Sequence, residues 1–208
     1  MAEPPGTAVI VDDDAGLREA LASLLRSIGL QVDLYGSVAD FMKAGRPTGA
    51  TCLVLDVRLP GQSGLDFQRE LSTAGISVPI VFITGHGDIP MSVRAMKGGA
   101  IEFMSKPVRE QDLLDAIQLG LQKDRAALEK QRAIGLLRAR FDSLTDRERE
   151  VMALVVAGRL NKQIAGDIGI SEVTVKVHRS NVKRKMQAKS LAELVLMADK
   201  LRTSKDNS

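Results

Sequence analysis

The chain changes texture beyond its middle. Over residues 8–119, short apolar runs at 8–11, 30–34, 51–55, 78–84 and 101–104 lead into acidic or glycine-rich turns. Amphipathic stretches lie between them. Leu17, Ala20, Leu21, Leu24, Leu25 and Ile28 recur at intervals of three and four, which predicts a helix. Five strands alternating with helices predict a parallel sheet covered on both faces, an α/β fold. In such sheets a ligand binds beyond the carboxyl ends of the strands. Chemistry is therefore expected at the residues that close each apolar run.

Residues 112–140 read as one long polar-rich helix, with Leu113, Leu114, Ile117, Leu121, Leu128, Ile134 and Leu137 at roughly helical intervals. It completes the first domain and continues as a linker. Gly135 weakens its far end by about 1 kcal/mol relative to alanine. Leu128, Ile134 and Leu137 span too few heptads for a coiled coil.

Residues 141–202 carry helical patterns only. Thr145 with Glu148 forms a capping box that opens a helix through about Ala157, closed by Gly158. Asn161 is expected to cap a short helix ended by Gly169. Ser171 is expected to cap a longer one to about Met186. Ser190 with Glu193 predicts a last capping box and a helix to about Leu201, and the tail TSKDNS is expected to fray. The resulting division is a first domain at 1–122, a helical linker at 123–142 and an all-α domain at 143–208.

Charge sharpens this division. The net charge of +3 over 208 residues conceals two opposite halves. Residues 1–122 hold 10 Lys+Arg against 15 Asp+Glu, or −5, and residues 123–208 hold 19 against 11, or +8. Only the second half suits a polyanion. No run approaches the roughly 18 to 20 apolar residues of a membrane helix, and the N-terminus lacks the pattern of a signal peptide. The single cysteine, Cys52, sits in an apolar run and reads as a core thiol. A cytoplasmic protein is expected.

The first half closes its strands on chemistry. Strand one ends in Asp12-Asp13-Asp14, strand three in Asp56 and strand four in Thr84; strand five is followed by Lys106-Pro107. With strand order 2-1-3-4-5, the first and third ends are neighbours, and three or four carboxylates converge. Their repulsion calls for a cation, and oxygen-only ligands favour Mg²⁺. Carboxylates for a metal, a hydroxyl and a cationic lysine are the parts that move a phosphoryl group: metal and lysine neutralise its oxygens while a carboxylate attacks in line. Each residue alone has an ordinary reading as a turn, cap or solvated charge. Their joint placement at four strand ends is the signal.

VIVDDD, LVLDVRLPGQSG, VFITGHGDIP and GAIEFMSKP resemble the receiver domain of bacterial two-component response regulators, a flavodoxin-like fold, over about residues 7–122. The resemblance implies that Asp12 and Asp13 bind Mg²⁺, that Asp56 accepts phosphate from a histidine kinase, and that the backbone carbonyl of Arg58 completes the metal shell. Thr84 and Lys106 then contact phosphoryl oxygens, Phe103 occupies the place of the switching aromatic, and the Lys106–Pro107 bond is cis. Arg58 and His86 stand two residues past Asp56 and Thr84, long enough to overhang the phosphate and slow its hydrolysis.

In the second half, Lys176, Arg179, Lys183, Arg184, Lys185 and Lys189 follow one another without an acid. Like charges on one helix repel but become favourable against phosphates, where each contact releases a counterion. A membrane or a calmodulin-like partner is the alternative. The apolar face (Val173, Val175, Val177, Val182, Met186) is modest and lacks aromatics, which disfavours insertion. A short helix, a Gly169-Ile170-Ser171 turn and a longer basic helix make a helix-turn-helix.

The stretch SLTDREREVMALVVAGRLNKQIAGDIGISEVTVKVHRSNVKRKM resembles the four-helix LuxR/NarL-type output domain over about residues 143–202, and the whole chain is most similar to regulators of the FixJ type. By that resemblance Lys176, Val177 and Ser180 read base edges. Thr174, His178, Asn181, Lys183, Arg184 and Lys162 contact or lie near phosphates of duplex DNA. The family also implies a homodimer on phosphorylation, through a face that includes residues 89–96, and regulation of promoters, with activation expected although repression uses the same parts, and with RNA polymerase as a further candidate partner. Two rival functions have opposing features. A phosphatase acting through an aspartyl-phosphate generally places a second Asp where this chain has Arg58, and has a cap domain. A receiver with a protein-binding or RNA-binding output does not need the LuxR-like helices.

Overall fold

The computed structural model describes residues 6–205, so the expected fraying of the tail lies partly outside the described residues. Thr203–Lys205 belong to the last helix. The chain divides into two compact units between Leu128 and Glu129.

The first unit contains β1 (Thr7–Val11), α1 (Ala15–Ser27), β2 (Gln31–Tyr35), α2 (Val38–Ala44), β3 (Thr51–Asp56), α3 (Gly64–Thr73), β4 (Ile80–Thr84), α4 (Ile89–Lys97) and β5 (Glu102–Ser105). α5 (Glu110–Asp142) follows, longer than expected at both ends. The sheet is parallel throughout, in the expected order β2-β1-β3-β4-β5. β1, β3 and β4 are wholly buried because helices cover both faces, whereas β2 and β5 at the edges are half exposed.

Alternation along the strands builds two cores. Val9, Val11, Leu53, Leu55 and Phe82 face one layer with Phe67 of α3 and Ala95 of α4. Ala8, Ile10, Cys52, Val54, Val81 and Ile83 face the other with Leu21 and Leu25 of α1 and Leu113 and Ile117 of α5. Each fully buried Val, Leu or Ile contributes about 1.5–3 kcal/mol. Cys52 is the core thiol expected: burial, aided by Asp124, pushes its pKa up to about 12. α5 approaches β3 so closely there that a Cβ on Gly120 would lie 2.5 Å from Cys52 Sγ. The buried Asp124 of α5 accepts from Arg46 Nη2 at 2.5 Å and from the Thr51 amide at 2.7 Å, which ties α5 to the start of β3.

Past Asp56 the chain makes a short antiparallel ribbon, Arg58–Leu59 against Gln62–Ser63, that periodicity did not predict. Strands of two residues carry too little pattern to be seen.

The second unit packs α6 (Asp146–Val156), α7 (Asn161–Ile168), α8 (Glu172–Met186) and α9 (Leu191–Lys205) around Val151, Met152, Val155, Ile164, Val175, Val182, Met186 and Leu194. The Thr145–Glu148 box forms as expected. Ser171 caps α8 through the Thr174 amide at 3.1 Å. Two caps differ from expectation. Leu160, not Asn161, precedes α7, and the Gln163 side chain accepts its amide at 2.9 Å; Asn161 Oδ1 instead accepts from Arg179. Before α9, Ser190 Oγ accepts from the Glu193 amide, but the Glu193 carboxylate reaches the Lys189 amide rather than that of Ser190. The carboxylate satisfies whichever orphan amide its rotamer reaches.

Candidate functional site

β1 and β3 are adjacent and in register from Thr7–Thr51 to Val11–Leu55, so their ends deliver Asp12 and Asp56 to one place. Asp12 and Asp56 are buried and Asp13 is exposed, and one oxygen from each lies within 4.8 Å of the others. Lys106, carried by the turn after β5, donates from Nζ to Asp12 Oδ2 and to Asp56 Oδ2, both at 2.7 Å. Burial alone would lower the Lys106 pKa; the hydrogen bonds and charges of Asp12 and Asp56 outweigh it and hold it above the ordinary lysine value.

The remaining oxygens are held by local amides. Asp12 Oδ1 accepts from the Asp14 amide and Asp56 Oδ1 from the Arg58 amide, each at 2.9 Å. These bonds hold each carboxylate in one orientation. Thr84 is fully buried at the end of β4, its Oγ1 accepts from the His86 amide at 3.3 Å, and its carbonyl accepts from the Lys106 amide at 2.8 Å. The Lys106–Pro107 peptide is cis. Phe103 is half-buried on β5, with its ring 6.3 Å from that of Phe82 and tilted by 45°. Arg58 and His86 are both exposed.

Asp14, expected as a possible fourth converging carboxylate, instead caps a helix beside the pocket, and two residues not singled out, Arg18 and Gly64, support it. Asp14 caps α1 through the Gly16 and Leu17 amides. Arg18 of α1 donates to the Asp12 carbonyl at 2.5 Å, bracing the end of β1. Gly64 opens α3 against the Asp56 carbonyl, where any Cβ would collide. The acidic triplet and the glycine were visible signals, but their partners follow only from chain packing. Three carboxylates converging with one lysine form a hard, oxygen-rich and negatively charged site, and that donor set fits Mg²⁺.

In the second unit, Lys176, Val177, Ser180, Lys183 and Arg184 are exposed along one side of α8, and Lys162 is exposed at the start of α7. Thr174, His178 and Asn181 are half-buried. The apolar face differs from expectation: Val175, Val182 and Met186 are buried, whereas Val173 and Val177 are 70% and 55% exposed. Two residues of the basic run turn inward. Arg179 donates to Asn161 at 2.6 Å. Lys185 donates to the buried Glu148 at 2.6 Å and to the Ser143 carbonyl at 3.2 Å. The exposed side of α8 therefore combines cations, a hydroxyl and an apolar group, the mixture that meets base edges and phosphates in a major groove.

The fold defines a receiver-like α/β unit followed by a helix-turn-helix unit, and comparison with known proteins agrees. Residues 8–118 match the response regulator receiver domain, and residues 142–198 match the bacterial regulatory proteins of the luxR family. The chain belongs to the two-component response regulators with a LuxR-type DNA-binding domain, a family of regulators rather than enzymes. It is 49% identical to Nodulation protein W of Bradyrhizobium diazoefficiens over 96% of this chain and 88% of that one. It is 42% identical to the transcriptional regulatory protein FixJ of Rhizobium meliloti over 92% and 94%. Among solved structures, the response regulator StyR superposes with a TM-score of 0.86 at 49% identity, covering 94% of this chain and 99% of that one. Full-length FixJ from B. japonicum gives 0.57 at 38% identity, covering 97% and 99%. No helix among the described residues is long and apolar enough to cross a membrane.

Proposed function

We infer that this chain is a phosphorylation-controlled transcription regulator, with a receiver at 1–122, a helical linker at 123–142 and a DNA reader at 143–208. The carrying observation is the convergence of Asp12, Asp13 and Asp56 with Lys106 bridging two of them. A histidine kinase or acetyl phosphate supplies the phosphoryl group. A carboxylate oxygen of Asp56 attacks phosphorus in line, the bond from phosphorus to the donor's nitrogen or oxygen breaks, and an aspartyl phosphate results. Asp12, Asp13, Asp56 and the Arg58 carbonyl would hold Mg²⁺, which would supply positive charge against the phosphoryl oxygens. Lys106 and the Thr84 hydroxyl contact those oxygens.

Thr84 moving toward the phosphate and Phe103 turning inward shift the population toward a second state. α4 leaves Ile89, Val93 and Met96 exposed, which supports homodimerisation through that face. A dimer suits two half-sites about one DNA turn apart. Lys176, Val177 and Ser180 read bases; Lys162, Thr174, His178, Asn181, Lys183 and Arg184 hold or flank the backbone. The outcome is promoter regulation in the cytoplasm, activation being the expected sense, with RNA polymerase as a further candidate partner. The relatives named FixJ are called transcriptional regulatory proteins, which supports this output.

The test is intact-mass analysis after acetyl phosphate and Mg²⁺, paired with genome-wide DNA binding. Wild type gains one phosphoryl group and redistributes on DNA, and Asp56→Asn does neither. Identical DNA binding by the two proteins rejects the switch.

A further inference from the structure

Thr84 and Phe103 are packed against a third residue. Gly87, in the 85–88 loop, lies against both. A Cβ built on Gly87 would stand 2.9 Å from Phe103 Cε1, 3.3 Å from Phe103 Cζ and 3.1 Å from Thr84 Cγ2. Carbon atoms pack best at about 3.5–4.0 Å, so a methyl group there does not fit without displacing the ring, the hydroxyl residue or the loop. The backbone does not demand glycine: Gly87 is absent from the positive-φ glycines of this chain. Space demands it. Gly85, two residues earlier, has nothing within 4 Å, so the tightness is specific to Gly87.

The ring is held on one side and half-buried overall. Phe82, fully buried, packs against it on the sheet side. The loop is also tied down, because Asp88, the next residue, caps α4 by accepting the Met91 amide at 2.7 Å. Moving the loop therefore moves the first turn of α4, and moving the ring breaks its packing on the core.

We propose that Gly87 is the steric gate of this receiver, a positioning residue whose missing side chain lets Phe103 lie beneath the β4–α4 loop beside Thr84. The proposal rests on the switch described above and adds the element that couples its two residues to α4. A methyl group at position 87 holds the ring away from Thr84 and uncouples phosphorylation from self-association.

The experiment is a double-mutant cycle on the full-length chain: wild type, Gly87→Ala, Phe103→Leu and the pair. Sedimentation velocity with and without acetyl phosphate and Mg²⁺ is compared at equal phosphoryl occupancy, measured by intact mass. Gly87→Ala is expected to reduce the phosphorylation-dependent gain in self-association by about tenfold, within the usual range of coupling between sites. Thermal melts of the four unphosphorylated proteins read the contact itself. Gly87→Ala lowers Tm in the wild-type background and much less in the Phe103→Leu background, where the colliding ring edge is gone. A responsive wild type with an equally responsive Gly87→Ala overturns the proposal alone, as does an additive melting cycle. A wild type that takes phosphate without any change in self-association overturns the switch itself, and the gate with it.

Discussion

Each unit turns one lysine inward onto a buried carboxylate, and the two pairs look alike. Lys106 meets Asp56 and Asp12 at 2.7 Å with its side chain 22% exposed. Lys185 meets Glu148 at 2.6 Å and is 24% exposed. Distance and burial do not separate them; the surrounding groups do. Glu148 Oε2 is shared by Lys185 and the Thr145 amide, the Thr145 hydroxyl caps in return, and Lys185 also reaches the Ser143 carbonyl. That network is closed. Around Lys106 the carboxylates outnumber the cation, and Asp13 is exposed beside them. That network is open to a divalent ion and an anion. A closed pair fixes a helix, and an open one leaves carboxylate oxygens available to a ligand.

The comparison breaks first at the lysines. Lys185→Met strips the partner from a buried Glu148 and is expected to cost about 2–4 kcal/mol of second-unit stability, toward the lower end because Lys185 is partly solvated. Lys106→Met leaves three carboxylates together, and its loss in Tm is expected to recover on adding Mg²⁺. Circular-dichroism melts with and without Mg²⁺ distinguish the two. Recovery of Lys185→Met by the ion, or none for Lys106→Met, erases the contrast.

On α8 the contrast lies between outward and inward cations. Lys176→Ala is expected to lose about 1–3 kcal/mol of discrimination between operator and random duplex. Arg184→Ala weakens all sequences alike and lowers the salt slope by about 1. Lys185→Met weakens binding without changing that slope. Titrations across salt concentrations decide, and a lowered slope for Lys185→Met would show it facing DNA.

Acid sharpens the closed pair. The hydrogen bond from Lys185, chiefly, holds the Glu148 pKa below the ordinary range against the opposing effect of burial; the Thr145 amide assists. A depressed folded-state pKa contributes stability that is present above the unfolded value, about 4.3, and lost as pH falls through the folded value. Second-unit Tm should fall below about pH 4, less steeply in Glu148→Gln. Equal acid sensitivity in the two proteins would remove Glu148 as the cause. The smallest expected effect concerns Arg58 and His86. Both are exposed near the pocket, and Arg58→Ala should shorten the aspartyl-phosphate lifetime a fewfold, read from the decay of the phosphorylated mass. An unchanged or longer lifetime denies Arg58 that shielding role.

Much of this was legible in the residues. The strand runs, the ends at Asp12, Asp56 and Thr84 and the turn carrying Lys106 appear where periodicity and the acidic turns pointed. α8 was legible as a basic helix, but not which of its cations are free. Val173 and Val177 are as apolar as Val175 and Val182, yet they face solvent. Composition cannot tell a packed valine from an exposed one when the helix axis is unknown.

The sequence by itself determined the alternation of elements, the opposite charges of the halves and the chemical types at the strand ends, because these depend on local period and residue identity. Tertiary structure decided which atoms meet: Arg46 with Asp124 across 78 residues, Lys185 with Glu148 across 37, and Gly87 with the ring of Phe103. Those contacts depend on how elements distant in sequence pack together, and no periodicity within one element encodes that.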